Sequence, residues 1–214
     1  MARIVFDLDG TLIDSAPDIG GIANGLLADR GLPPITSEQT RDFVGKGPGV
    51  FIEKMRTARN IPQSEQTTLL TAFMANYDGA VGLTHPYPGV VNALENLRTK
   101  GHRLGICTNK PIKPTMAVLR HLDLEQYFET FVGGDSLAVH KPDPAPLEQA
   151  FAALGDGKQI FVGDSEVDAA TALAAGVTFL LFTEGYRKKP IAELPHDQAF
   201  SHFDGFCDLV GGIT

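Results

Sequence analysis

Arg3-Ile4-Val5-Phe6-Asp7-Leu8-Asp9-Gly10-Thr11 is the stretch that decides how this chain folds. Its β-branched and aromatic opening predicts a buried strand at the very start. Two carboxylates and a hydroxyl follow at once, and Gly10 supplies permissive backbone for a turn. Inside a strand successive side chains alternate faces, but past its end both carboxylates can turn toward one crevice. Open α/β sheets bind ligands in the crevice outside the carboxyl ends of their strands. A helix cap accounts for one aspartate, not for two flanking the apolar Leu8.

Outward from this strand the pattern alternates. Helical periodicity covers 90–99, 114–121, 144–154 and 166–175, strand-like runs cover 102–107, 130–133, 159–162 and 177–182, and a weak last strand covers 199–201. Such alternation predicts an α/β fold, a doubly wound and mostly parallel sheet covered on both faces. The opening strand finds no partner before residue 102, so an insert lies between. Asp14 or Ser15 is the expected cap of its first helix, with Pro17 in the first turn and Asp18 near the positive end. Gly31 and Pro33-Pro34 stop that helix, and further helices are expected at 37–44, 48–59 and 64–79. His85-Pro86-Tyr87-Pro88-Gly89 reads as a boundary. The expected organisation is a core of residues 1–14 and 88–214 around an all-helical insert of 15–87.

The 214 residues are 43% hydrophobic, enough for a sizeable core. The net charge, 18 − 26 = −8, argues against a nucleic-acid or anionic-membrane partner. It leaves an anionic small molecule open, because a bound cation inverts the local field. Cys107 and Cys207 are too far apart in sequence to suggest a disulfide framework or a zinc site. No signal-peptide pattern is visible before the first strand, and the apolar run 169–182 is too short to span a bilayer. A soluble, cytoplasmic protein is the expectation.

Three later stretches carry chemistry. Thr108-Asn109-Lys110 ends the second core strand, where the Thr108 hydroxyl can meet a phosphoryl oxygen or cap the next helix. Lys141 sits in His140-Lys141-Pro142-Asp143-Pro144, whose prolines restrict the backbone. A fixed ammonium suits a phosphate oxygen or a carboxylate, although a solvated surface lysine is the ordinary alternative. His140 is given no role. Asp164, in Gly163-Asp164-Ser165-Glu166-Val167-Asp168, lies just past a buried strand, and Asp168 follows in the first turn of a helix that Ser165 caps. Asp168 also complements the helix dipole. Asp7, Asp164 and the backbone carbonyl of Asp9 would make an all-oxygen site for Mg2+.

Asp7 to Thr11, Thr108, Lys141, and Asp164 with Asp168 stand in the order of the four signatures of the haloacid dehalogenase superfamily, which the chain resembles over nearly its whole length. The resemblance implies a Rossmann-like core, a helical cap and a magnesium-dependent phosphatase. Asp7 would be the nucleophile and form an aspartyl-phosphate. Asp9 would act as general acid and then base. Thr108, Asn109 and Lys141 would hold phosphoryl oxygens. Asp7, Asp9 and Asp164 would hold the metal, with Asp168 behind them. An acid at position 9 favours phosphate-ester hydrolysis over dehalogenation or phosphonate hydrolysis.

Asp14-Ser15-Ala16-Pro17-Asp18-Ile19, Arg41-Asp42-Phe43-Val44-Gly45-Lys46-Gly47-Pro48-Gly49 and Gly185-Tyr186 resemble the phosphoglycolate phosphatase-like subgroup. Lys46 departs from the small polar residue expected there. Arg41 and Lys46 are the candidate substrate contacts from the insert, with Lys46 the better placed to meet a carboxylate. The competing readings are a phosphatase for another small ester or pyrophosphate, a sugar-phosphate mutase, and, from another class, a phospho-receiver module. Receivers are shorter, lack a helical insert and carry their aspartate on a middle strand.

Overall fold

The computed structural model describes residues 1–213. Strand β1 (Ala2–Phe6) runs at the centre of a six-stranded sheet. Its neighbours are β4 (Arg103–Cys107) and β6 (Lys158–Gly163), with β5 (Thr130–Val132) outside β4, and β7 (Thr178–Phe182) and then β8 (Gln198–Phe200) outside β6. Every pairing is parallel, so all six carboxyl ends open on one edge.

The period of two decides which layer each side chain enters. Ile4 and Phe6 of β1, Ile160 and Val162 of β6, and Leu180 and Phe182 of β7 join one core; Val5, Phe161, Phe179 and Leu181 join the other. The first core is covered by α5 (Val90–Thr99), α6 (Ile112–His121) and α9 (Phe206–Gly211). The second is covered by α7 (Ala145–Ala153) and α8 (Glu166–Ala175). Helices on both faces leave the central strands no polar side to present, and their buried positions are accordingly apolar, with Arg3, Arg103, Lys158 and Gln159 confined to the strand starts.

Between β1 and α5 the chain forms α1 (Ala16–Ala28), α2 (Ser37–Phe43), α3 (Gly47–Ala58) and α4 (Gln66–Tyr77). They bury a third apolar cluster of their own, with Phe43, Phe51, Phe73 and Tyr77 stacked edge to face or tilted in series. The chain leaves and re-enters the core through a two-stranded antiparallel ribbon, β2 (Ile13–Asp14) against β3 (His85–Pro86). That ribbon was not expected from the sequence, where Pro86 argues against a strand; as an edge pair of two residues it needs almost no ladder. The helix α9 was also not foreseen, being only 6 residues long.

One local expectation needs correcting. Ser15 precedes α1 but makes no side-chain cap. Instead Tyr186 Oη accepts the N–H groups of Ser15 at 2.9 Å and Ala16 at 3.1 Å, and Asp14 Oδ1 accepts Ala16 N–H at 3.3 Å. The first turn is thus satisfied from the core side, and the Ser15 hydroxyl is released for another partner. Among the described residues no helix is long and apolar enough to cross a membrane.

Candidate active site

The parallel order brings the ends of β4, β1 and β6 side by side, and with them Thr108, Asp7 and Asp164. Asp7 is anchored by its N–H to Val162 O at 2.9 Å. Beyond it Gly10 turns at φ +89°, and a Cβ there would lie 2.6 Å from Asp164 Oδ2, so only glycine lets the turn pass this close to the acid. Gly185 is under the same constraint, since its Cβ would meet Asp164 Oδ2 and the Gly10 carbonyl.

Asp164 is 1% exposed and both its oxygens are held. Thr11 Oγ1 donates to Oδ1 at 2.9 Å, and the N–H of Tyr186 donates to Oδ2 at 2.5 Å. Asp168 is held harder still. Its Oδ2 accepts Ser165 Oγ at 2.6 Å and Ser165 N–H at 3.1 Å, and Ser165 Oγ in turn accepts Asp168 N–H, a reciprocal cap at the start of α8. Its Oδ1 takes Lys141 Nζ at 2.6 Å. The same ammonium lies 2.9 Å from Asp7 Oδ1, out of line for a hydrogen bond, and Oδ1 is left without one.

The carboxylates are more numerous than the cations that meet them. Burial, and then the Asp168 charge, push the Asp7 carboxyl up to about 6 despite Lys141. Burial, then the charges of Asp168 and Asp7, raise Asp164 well above the usual carboxylate range. Burial works against the Lys141 ammonium, yet Asp168 and Asp7 outweigh it and keep the lysine charged.

An oxygen-only donor set with excess negative charge and an unbonded Asp7 Oδ1 fits a hard divalent cation. Ligand atoms of Asp7, Asp164 and Asp168 all lie within 4.8 Å of one another. Asp168 carries the most donors of the three, with Lys141 on Oδ1 and Ser165 and the Asp164 N–H on Oδ2, while each Asp164 oxygen carries one and Asp7 Oδ1 none.

Asp9 faces the helical insert. Its Oδ1 accepts Ser15 Oγ at 2.6 Å, and Lys110 Nζ lies 3.2 Å from Oδ1 and 3.4 Å from Oδ2. Thr108 is buried and lines an inner cavity together with Asp7 and Asp9. Asn109 was expected to hold phosphate, but its amide donates to Gly45 O and Lys141 O, each at 3.0 Å. Both donors are taken, so the side chain joins the insert loop to the Lys141 loop, while the residue lines the inner cavity. Arg41 is exposed, bonds Asp14 Oδ2 at 2.9 Å beside the ribbon, and lines neither cavity at the site. Lys46 is exposed on the lip of an outer cleft of about 480 Å³ that also reaches Asp7, Asp9 and Asp164.

Two residues escaped the sequence reading. Lys110 was read only as the tail of Thr108-Asn109-Lys110, yet it is 6% exposed and reaches Asp9. Tyr77 ends the buried stripe Leu69, Phe73, Tyr77 of α4 and hydrogen-bonds Lys110 through its hydroxyl at 3.0 Å. A tyrosine closing an apolar stripe needs a polar partner at its tip, and that was the available signal.

The comparisons agree with this layout. The family model described as haloacid dehalogenase-like hydrolase matches residues 4–182. A phosphoglycolate phosphatase of Cereibacter sphaeroides is 47% identical over 213 residues, covering 98% of both chains. One of Rhodobacter capsulatus is 41% identical, covering 99% of this chain and 97% of that one. A crystal structure described as a predicted phosphoglycolate phosphatase from Haemophilus somnus superimposes with a TM-score of 0.90 at 30% identity, covering 98% of each chain. With its acids on adjacent parallel strand ends and its matches running the length of the core, the chain belongs to the haloacid dehalogenase-like hydrolases.

Proposed function

We propose that this protein is a magnesium-dependent phosphatase that hydrolyses 2-phosphoglycolate through an aspartyl-phosphate on Asp7. The observation that carries the reading is the pair of acids on one turn: Asp7 against Lys141 and Asp164, Asp9 against Ser15 and Lys110. The substrate is supported by the names of the relatives and by a cavity that offers a cation beside Asp9.

Asp7 would attack phosphorus while the ester P–O bond breaks, and Asp9 would give its proton to the departing alkoxide. Asp9 would then take a proton from water, whose oxygen attacks the phosphorus, releasing phosphate and restoring the Asp7 carboxylate. The Thr108 hydroxyl and the Lys141 ammonium would hold phosphoryl oxygens, with Asp168 keeping Lys141 in place. Asp7, the Asp9 carbonyl and Asp164 would hold magnesium, which would supply the positive charge that offsets repulsion between a carboxylate nucleophile and a phosphate. The helical unit of residues 15–87 serves as the cap: Val44, Gly45, Phe51 and Phe73 wall the inner cavity and exclude bulk water. Lys46 on the outer lip is available to draw the anion in.

Phosphate release from 2-phosphoglycolate, pyrophosphate, a hexose phosphate and an aryl phosphate, with magnesium and with chelator, tests the reading. Highest kcat/KM on 2-phosphoglycolate, lost with chelator, is expected. Stoichiometric phosphorylation without turnover would make the chain a receiver, and turnover of pyrophosphate alone would replace the substrate.

A further inference from the structure

Lys110 takes no step in the chemistry just described beyond standing beside Asp9. Its side chain is 4% exposed and approaches a single acid, Asp9. The ammonium lies 4.2 Å from the centre of the Tyr77 ring, and the Tyr77 hydroxyl accepts from it at 3.0 Å. Oxygens of one carboxylate at 3.2 and 3.4 Å can share a single bifurcated N–H. An ammonium has three donors, so one is left for a ligand.

Lys110 lines the inner cavity. The cavity has a volume of about 30 Å³, and its walls outside the acids are mostly apolar, with Ile19, Phe51 and Phe73 from the helical insert. On the scale where one water needs roughly 10–15 Å³, this is space for on the order of two waters. A leaving group seated beside Lys110 must be short, since a longer one would extend into the outer cleft, which reaches the same acids. Thr108, Asn109 and Tyr77 are its uncharged polar walls and Lys110 is the one cation among its lining residues, and a buried cation rewards one negative charge.

Resting on the phosphatase reading above, we propose that Lys110 is the specificity-determining residue that takes the carboxylate of a short leaving group, and that Tyr77 of the insert positions its ammonium. Lys46 stands outside this enclosure, so the carboxylate would end on the core lysine and not on the lip. The receptor is complete only when the insert is packed on the core, because one of its two side-chain partners comes from each.

The test compares kcat/KM for 2-phosphoglycolate and for 2-hydroxyethyl phosphate, a neutral ester of similar size, in the full chain with magnesium. The wild type should prefer the carboxylate. Lys110→Met should lose about 10- to 100-fold on 2-phosphoglycolate beyond its loss on the neutral ester, the size of one charge-assisted hydrogen bond. Lys110→Arg should restore part of the preference. Tyr77→Phe, which keeps the ring under the ammonium, should lose about 3- to 10-fold with the same selectivity, and it serves as the test should Lys110→Met not fold. An unchanged ratio between the two esters in these variants would mean that Lys110 only steadies Asp9, and the proposal fails. A wild type that turns over aryl phosphate without preferring the carboxylate ester also overturns it, and leaves the phosphatase reading standing. A wild type inactive on every ester overturns both.

Discussion

Two lysines are buried in one crevice, and they answer to different parts of the chain. Lys141 has both of its acids, Asp7 and Asp168, in the α/β core, and its ammonium lies 5.2 Å from the Phe161 ring of the same core. Lys110 has one partner in the core, Asp9, and one in the helical insert, Tyr77. The first arrangement exists as soon as the sheet and α8 are formed. The second exists only when the insert closes on the sheet edge. On the proposed reading the charges that would hold the phosphoryl group belong to one folding unit, whereas the group that would face the rest of the substrate depends on how two units pack. Binding at such a junction lets recognition and exclusion of water occur in one motion.

The largest effect should separate the two aspartates along this line. Asp7→Asn should abolish turnover, because an amide is no nucleophile toward phosphorus, and mass spectrometry of trapped wild-type enzyme should find phosphate on Asp7. Asp9→Asn should cost about 10²- to 10⁴-fold, most on alkyl esters whose leaving group needs a proton. Equal, total losses from both would break the division between a covalent half and a proton-handling half. Asp7→Asn should also leave the metal-free protein at least as stable, since the acid it removes is held near 6 by burial and the Asp168 charge.

Stability should separate the two lysines next. Lys141→Met strands two buried acids, and removing one partner of a buried ion pair costs about 3–5 kcal/mol. Lys110→Met strands one acid that keeps the Ser15 hydroxyl at 2.6 Å, and it should cost less. Urea unfolding without metal measures both. A larger loss at Lys110 would mean that its contact with Tyr77 holds the insert on the core more strongly than its charges suggest.

Magnesium should act on the Lys141 side alone, and its effect should depend on pH. The folded chain binds a proton at Asp7 up to about pH 6, where an unfolded chain with an ordinary aspartate near 3.8 has released it. Stability of the metal-free protein therefore falls as pH rises through that window, and the strain is fully present above it. A cation binds the deprotonated acids and relieves it there, while protons displace the cation below. At about 100 times its dissociation constant magnesium adds ~2.7 kcal/mol, a Tm rise of about 5–10 °C for a chain of this size. That rise is expected at pH 7.5 and should shrink toward pH 5. Asp164→Asn should remove it and Lys110→Met should not.

How much of this was readable in the sequence follows the same division. Strands and the helices between them were legible because each repeats its own period, and Asp7, Thr108 and Asp164 were legible because each directly follows a strand. Lys141 needed only the prolines around it. The shared half was opaque. Lys110 and Tyr77 are 33 residues apart, in different folding units, and no local pattern links them. Ser15 looked like a helix cap by the local rule, but Tyr186 Oη takes over the first N–H groups from 171 residues away, so the hydroxyl turns to Asp9. Asn109 next to Thr108 looked like a second phosphate donor, and only the fold shows the Gly45 and Lys141 carbonyls that claim its amide. Local rules fail here where a distant group satisfies the same need first.

Arg41 offers the smallest effect and the finest test of where the insert stops contributing. As a cation in the insert it was a candidate for the substrate carboxylate, yet it pairs with Asp14 in a contact whose side chains are 45% and 31% exposed. Exposed pairs of this kind are worth about 0–1 kcal/mol. Asp14 also keeps the Tyr186 hydroxyl at 2.6 Å and the N–H of Ala16, so the crossing into the insert stays tied without Arg41. Arg41→Ala should therefore shift unfolding by less than about 1 kcal/mol, and kcat/KM by less than about threefold, equally on 2-phosphoglycolate and on 2-hydroxyethyl phosphate. A selective loss of tenfold or more on the carboxylate ester would show Arg41 leaving Asp14 to reach the substrate. The insert would then close further than the arrangement seen here, and Lys110 would share the carboxylate with a second cation.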